Sequence, residues 1–461
     1  MCCRNWVAGP ALAMATIGLS APVMAQRADE NAVQSADDAF GTNVGLESTG
    51  IYNERNTRGF NPVEAGNSRI DGNYFDQVAN LSGRMRSHTA IRVGFRAVDF
   101  PFVAPTGIVA NHLNTFPAEA GNSLTWNQYY YGGYIAEWDM RLPIIEDRLA
   151  LTGGAADART AQGDGTDQRS WGVTIRPIVR LGTFEFSPFL ATGEFSRTDV
   201  KPIVVVRDGY LPPIPARREH LGQDWAAGNK LHRNIGATIK GKIGERTFVR
   251  GGLFYSMGNR RRNFSEIYTV RDETGLSGHV VLADPAHDID SYSGELLAGL
   301  RLTDGRFRSH LFAGYRARSR YTETGGSALI NLGEAIYGIP DPQPEPEFDF
   351  GPVNRGRVRQ SSVMAGYLGR LEGVGRINIG IQKARYRASS IVGATDARAD
   401  SRAEPWLYNA ALMVELGPRL AAYAATQRGL EDSGLAPENA ANRDEQLPAT
   451  KTTQYEGGLQ W

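Results

Sequence analysis

The chain has 461 residues, and its 50 basic and 50 acidic side chains leave a formal net charge of zero. That balance, with no long basic run, gives a nucleic-acid partner no electrostatic support, and the length exceeds what one ordinary globular core holds. Past the first residues no apolar run reaches 18 residues, which removes helical membrane proteins. A mean hydropathy of −0.35 does not remove membrane barrels, whose strands hide their lipid face by alternation.

The chain opens with a charge at Arg4, an apolar run from Trp6 to Val23, and Val23-Met24-Ala25 ahead of Gln26. A charged start, an apolar core and a small-residue cleavage site predict a secretory signal peptide over residues 1–25. The alternative, a membrane anchor helix, suits the segment less well because Gly9-Pro10 and Pro22 interrupt it. Cys2 and Cys3 both fall inside the signal, so the mature chain has no disulfide framework, thiolate metal site or cysteine nucleophile. Residues 26–36 follow as a short periplasmic segment, and residues 37–117 as the first folded domain.

Within that domain the stretch from Asn56 to Gln77 is polar, punctuated by glycine and rich in turn formers, yet carries apolar residues at strand spacing. Short strands and tight turns are expected of it. From Ala118 onward the pattern alternates. One parity holds Trp171, Val173, Ile175, Val179 and Leu181, and the other holds Gly172, Thr174, Arg176 and Arg180. Similar two-faced segments include Ile235, Ala237 and Ile239 against Asn234, Thr238, Lys240 and Lys242, and Phe307, Leu311 and Tyr315 against Arg308, His310 and Arg316. Ile377, Ile379 and Ile381 oppose Arg376, Asn378 and Gln382, while Trp406, Tyr408, Leu412, Val414 and Leu416 oppose Asn409 and Glu415. Such segments without intervening helical patterns predict an antiparallel all-β architecture.

A soluble sandwich would alternate too. Against it stand the signal peptide and the aromatics near strand ends: Trp126, Tyr129, Tyr130, Tyr131, Trp171 and Trp406. The connections are also unequal. Thr303-Asp304-Gly305 and Gly417-Pro418 are tight, whereas 197–230, 258–290, 321–357 and 389–404 read as long loops rich in Pro, Gly and charge. Short turns on one side and long loops on the other describe an outer-membrane barrel, with the long loops outside the cell.

Arg58-Gly59-Phe60, followed by Asn67, Arg69, Asp71 and Gly72, resembles the plug fingerprint of TonB-dependent outer-membrane receptors. The resemblance implies an N-terminal α/β plug domain followed by an all-β antiparallel transmembrane β-barrel, here over residues 118–461. Ile91-Arg92-Val93-Gly94 and Pro105-Thr106-Gly107-Ile108-Val109 resemble the strand and turn that lead from plug to barrel. The family places an arginine directly before that first glycine; this chain has Val93 there and Arg92 one position earlier. Gln427-Arg428-Gly429-Leu430-Glu431, Ala436-Pro437, Asn439-Ala440 and Gln454-Tyr455-Glu456-Gly457 resemble the family's late barrel elements. There a wall glutamate faces arginines of the plug, which implies a plug–barrel ion pair of Glu456 with Arg58 and Arg92. A guanidinium and a carboxylate form directional bonds that hold yet can be rearranged under force.

The strand count is short. About 13 or 14 alternating segments follow Ala118, against the 22 of outer-membrane transporters. A truncated barrel, inactive in transport by itself, is therefore expected. The closing alternation of Tyr455, Gly457, Leu459 and Trp461 keeps a complete 14-stranded barrel open, although a ring of that size leaves little room for a plug.

By resemblance the function is energy-coupled uptake of a scarce ligand, with a ferric siderophore foremost, through the TonB protein of the inner membrane and in contact with outer-membrane lipid and lipopolysaccharide. The TonB-contacting strand has a loose candidate in Asn31-Ala32-Val33-Gln34-Ser35-Ala36. For ligand capture the candidates are Tyr210, Arg217 and Arg218 in one loop and Arg260, Arg261 and Arg262 at another loop tip, where cations would attract an anionic iron chelate. Solvated loop tips, or contacts to lipopolysaccharide phosphates, explain the same residues. His279 and His287 near Asp284, Asp288 and Asp290 could form a metal cluster, but a solvated loop with ordinary polar residues is the better reading of them. No His-Glu-x-x-His pattern, cofactor motif or catalytic Ser-His arrangement is found. A passive porin or a surface adhesin barrel is the rival reading.

Overall fold

The computed structural model describes residues 41–44, 47–59, 61–93, 102, 105, 107–207, 209–434, 436, 440–442 and 445–460. The predicted signal peptide, the segment 26–36, Phe60 and Gly94 lie outside the described residues.

Six short strands make the first domain: β1 (Thr42–Val44), β2 (Glu47–Thr49), β3 (Ser68–Ile70), β4 (Asn73–Phe75), β5 (Arg86–Arg92) and β6 (Ile108–Leu113). They form one sheet in the order β2-β1-β5-β6-β3-β4, in which only β3 and β6 run parallel. The hairpin β3–β4 pairs Ile70 with Asn73 across Asp71-Gly72. Both turn residues have positive φ, +46° and +81°, the requirement of a type I′ turn that Asp-Gly meets at little cost. The α part of the α/β expectation is not seen: among the described residues the plug has no α-helix. Asn53 and Asn61 turn their side chains onto the amides two and three residues ahead, a local bond that competes with helix, and Pro62 and Gly66 keep the rest of that segment in turns.

The wall follows as β7 (Gly121–Gln128), β8 (Tyr134–Ile145), β9 (Leu149–Ala161), β10 (Asp167–Leu181), β11 (Phe184–Thr198), β12 (Ile203–Val206), β13 (Gly228–Ile243), β14 (Thr247–Val270), β15 (Leu276–Asp284), β16 (His287–Asp304), β17 (Phe307–Thr324), β18 (Ala328–Ile336), β19 (Asn354–Leu371), β20 (Gly375–Val392), β21 (Ala397–Ala403), β22 (Trp406–Gly417), β23 (Leu420–Glu431) and β24 (Thr450–Gln460). Apart from β12, β15, β18 and β21, these strands run in one antiparallel ladder from β7 to β24. The strand order is that of a closed barrel, and the ring closes where β24 meets β7.

Tight turns join β8 to β9, β10 to β11, β13 to β14, β16 to β17, β19 to β20 and β22 to β23 at one end. The long connections at the other end are not all loops, which corrects the expectation for 258–290. β14 continues 24 residues to Val270, and its outer half pairs with β12 and β15, with β15 pairing in turn with β18. A four-stranded sheet thus stands above the wall, packed through Ala226, Phe264, Val281 and Ala283. The alternation was hidden because Glu266 occupies one of its core positions, where it meets His279 at 2.6 Å with both side chains fully buried.

The domain formed by β1–β6 has a small core of its own, Ile91, Val93 and Val109 with Tyr52 and Val63 against them. Its largest cluster joins Ile70, Phe75, Leu81, Met85 and Leu113 to Phe189, Ala191 and Phe254 of the wall. Packing to the wall thus completes the larger of its two apolar clusters.

Candidate functional site

The site is the contact between plug and wall, and it is built from turns that aim charged side chains outward from the plug. Arg58 and Gly59 both have positive φ, +55° and +80°. For arginine this is a sparsely populated conformation, and it delivers the side chain to β24. There Arg58 Nη1 and Nη2 each donate to a different Glu456 carboxylate oxygen at 2.9 Å. Tyr423 donates to the same carboxylate at 3.1 Å. The two charged side chains are 26% and 15% exposed, so the pair remains within reach of water. The bond to Glu456 outweighs burial and raises the Arg58 pKa above the usual arginine value.

A second clamp has a dry centre, with Asp76 and Arg318 buried and Arg320 22% exposed. The Asp76 carboxylate, at the end of the β3–β4 hairpin, accepts from Arg318 Nη1 at 3.0 Å and from Arg320 Nε and Nη2 at 3.0 and 2.6 Å. The Ser291 hydroxyl donates to it at 2.6 Å, while the Asp76 amide donates to Ser293 Oγ at 2.9 Å. Burial works to raise this carboxyl, but Arg318, Arg320 and the Ser291 bond together hold it well below the usual carboxylate range. The third clamp joins Arg84 to Asp139 at 2.5 Å and to Glu137, with all three side chains buried. The plug is thus fastened to β8, β16, β17 and β24, around much of the ring.

The other fingerprint residues support these clamps. Gly72 holds a positive φ of +81°, and a Cβ there would lie 2.5 Å from Arg250 Nη1 of the wall, so that guanidinium would have to swing aside. Asp71 accepts the Leu113 amide at 2.9 Å and so ties the hairpin turn to β6. Arg69 is buried beside the Tyr74 ring at 5.0 Å, and Arg316 of the wall sits at 5.1 Å from the same ring. Burial, then the nearby Arg316, push the Arg69 pKa down to about 10, still charged at neutral pH. Asn67 is buried with its carbonyl on the Val109 amide. Arg92 stands at the end of β5 in register with Ile108; among the described residues the side chains donating to Glu456 do not include it.

The arginines expected at one loop tip are strand residues with different surroundings. Arg260 and Arg262 line a cavity of about 410 Å³ near the outer end of β11, β13 and β14, together with Lys201 and Lys230. Arg262 also meets Glu345 at 2.7 Å. Arg261 points to the other side of β14, 3.5 Å from Glu194. An extended strand must divide consecutive side chains in this way. Arg217 and Arg218 both lie against the Tyr131 ring, at 5.3 and 5.0 Å, and Tyr210 sits apart in a turn closed by the Arg207 carbonyl.

The possible metal cluster is not assembled: among the described residues no group of three or more His, Cys, Asp or Glu could hold an ion. His279 bonds Glu266, His287 bonds the Gly325 carbonyl at 2.8 Å, and Asp284 is engaged by Asn263 and Ser327. Sequence reasoning missed Asp76, Arg84, Arg318 and Arg320. A signal existed in Arg316-x-Arg318-x-Arg320, three cations at strand period on the face opposite Tyr315.

Similar proteins share the fold but little sequence. The ferric preacinetobactin receptor BauA of Acinetobacter baumannii superposes with a TM-score of 0.69 at 16% identity, over 86% of this chain and 60% of that one. The siderophore receptor PiuA of the same organism gives 0.69 at 10% identity, over 88% and 63%. The ferric-catecholate import receptor Fiu of E. coli K12, in its closed form, gives 0.68 at 12% identity, over 86% and 63%. The fold is that of the TonB-dependent siderophore receptors. The sequence itself matches no protein-family profile and no curated protein. The chain spans about 60% of the length of the receptors it superposes on.

Proposed function

We propose that this chain works in the outer membrane of a Gram-negative bacterium as a TonB-dependent receptor for an anionic iron chelate, exported by the signal peptide over residues 1–25. The observation that carries the reading is a plug seated inside a barrel and fastened by charged clamps, one of which, Arg58–Glu456, is bidentate and half-wet. A plug meant only to seal a wall needs no such bond; one that must be pulled and reseated needs contacts that re-form with direction. In the cavity lined by Lys201, Lys230, Arg260 and Arg262, Lys201 and Arg262 are met by Asp164 and Glu345, and Lys230 and Arg260 are the cations that would attract an anionic ligand. In this reading TonB engages the chain ahead of the plug by strand addition.

Uptake of radiolabelled ferric siderophores tests this. Cells carrying the protein should accumulate iron only with an intact proton-motive force and TonB, and a charge-removing Arg260→Gln substitution should lower uptake. Uptake that persists in cells lacking TonB overturns the reading, and steady ion conductance in a planar bilayer would assign a passive porin instead.

A further inference from the structure

The four-stranded sheet above the wall has one covered face and one open face. On the covered face Phe264, Val281 and Ala283 pack with Ala226, and Trp225 and Phe348 lie against them. On the other face Ile203, Ile267 and Val280 stand side by side across β12, β14 and β15. Val205 lies two residues beyond Ile203, and Leu282 pairs with Leu329 in the row below. Ile203, Val205 and Leu329 are 50%, 39% and 67% exposed, and Ile267, Val280 and Leu282 are half-buried. The clamps that hold the plug use none of these six side chains.

The open face points away from the barrel axis. β14 pairs Arg260 with His287 and Asn263 with Asp284, one constant offset, so its alternation carries through from wall to sheet. Ile267 therefore shares a side with Leu253, 74% exposed on the outside of the wall. Ser256, on the opposite side, accepts the plug amides of Val78 and Ala79. Ile267 lies fourteen residues past Leu253, about 35 Å of rise at ~3.3 Å per residue and a strand tilt of about 40°. The apolar band of an outer-membrane barrel is only about 25 Å tall, so lipid tails do not reach this face.

We propose that the face is the contact between two copies of this chain standing side by side in one membrane. A barrel holds every copy upright, so a twofold axis along the membrane normal sets the face against itself with all strands still upright. That is the aligned packing of two sheets about 10 Å apart. An antiparallel joining of two β12 edges would instead turn one copy upside down. The centre of the face carries no charge, and the charges at its rim are matched within the chain, Arg271 by Glu334 and Asp284 by Asn263 and Ser327. Identical faces thus meet without like-charge repulsion. Four strands about eight residues long span roughly 19 by 26 Å, so two copies bury roughly 1,000 Å² together, the lower limit of a specific interface. Such a pair is weak in free solution, and confinement in a membrane raises its effective concentration. The twofold lays β18 of one copy over β12 of the other, Leu329 against Ile203. The proposal rests on the outer-membrane reading but not on uptake.

With both cysteines in the predicted signal peptide, a single introduced cysteine reports the contact. In isolated outer membranes Val280→Cys should give a dimer with a short bismaleimide, and differently tagged copies should co-purify in it. Asp224→Cys, exposed on the loop over the covered face, should give none. Adding Leu329→Glu to Val280→Cys should cut the dimer at least about tenfold, because the contact would bury an unpaired charge. Coexpression with a chain carrying Val280→Cys and Ile203→Lys should restore it. Heat-modifiable migration confirms that each variant is folded. No dimer from Val280→Cys, an equal yield with Leu329→Glu, or an equal yield from Asp224→Cys overturns the contact. Crosslinking to another protein, or a Val280→Cys thiol shielded from maleimide without a dimer, gives the face to a different partner or to surface glycolipid and overturns self-association. A chain absent from the outer-membrane fraction overturns the outer-membrane reading itself, a failure distinct from that of an inserted, folded chain that stays single.

Discussion

Two clamps hold the same plug in different physical states. Asp76 is fully buried among Arg318, Arg320 and Ser291, whereas the Arg58–Glu456 pair keeps a quarter of its guanidinium and about a seventh of its carboxylate in contact with solvent. Breaking the first strands charges in a dry site; breaking the second lets water replace the partner. In the proposed receptor function the difference would divide anchoring from release: the Asp76 clamp would fix where the hairpin sits, and the Arg58 clamp would be the one that a pull on the plug opens and lets re-form. Buried ion pairs of this kind are costly to sever because the remaining partner loses compensation, while half-wet pairs contribute modestly.

The contrast is broken most severely by Asp76→Asn, which leaves Arg318 and Arg320 without their counter-charge. A loss of about 3–5 kcal/mol is expected, read as a lower melting temperature and faster proteolysis of the plug than of the barrel. Equal proteolysis of parent and variant would remove Asp76 from the anchoring role. Acid probes the same clamp. Because the folded Asp76 pKa lies below its ordinary value of 3.8, the stabilisation is fully present above that value and is lost as pH falls below it. Melting temperature should therefore show no step assignable to Asp76 between about pH 5 and 8, with a decline below about pH 4 that is shallower in Asp76→Asn.

Glu456→Gln should cost less, about 1–2 kcal/mol, and should show mainly as easier extraction of the plug under load in single-molecule pulling. A rupture force equal to the parent's would place the release step elsewhere. Gly72→Ala tests the turn beneath the buried clamp: positive φ and the Arg250 contact predict a loss of about 1 kcal/mol or somewhat more, measurable by denaturant midpoint. The smallest effect belongs to Arg261→Gln, whose exposed side chain meets Glu194 at 3.5 Å; stability should change by less than about 0.5 kcal/mol. Uptake should also hold, in contrast to Arg260→Gln one residue away.

Much of the architecture was legible because it is local. Alternation at Trp171–Leu181 or Ile377–Ile381 needs only neighbouring residues to reveal two faces, and the Asp71-Gly72 turn follows from the positive φ that few other dipeptides accept. The outer sheet was not legible, since its core includes the Glu266–His279 pair, and a charge at a core position reads as loop until its partner is known. Arg260, Arg261 and Arg262 read as one basic tip; extended geometry sends the middle one to the opposite face.

The sequence by itself determined the strands, the turns and the plug fingerprint, because each depends on φ preferences and on a period of two within a few residues. Only the tertiary structure decided which charges meet. Asp76 finds Arg318 and Arg320 more than 240 positions away, and Arg58 finds Glu456 398 positions away. Nothing in either segment names its partner. The wall curls around the plug and brings them to bonding distance, and burial then separates the bond that would anchor from the one that would open.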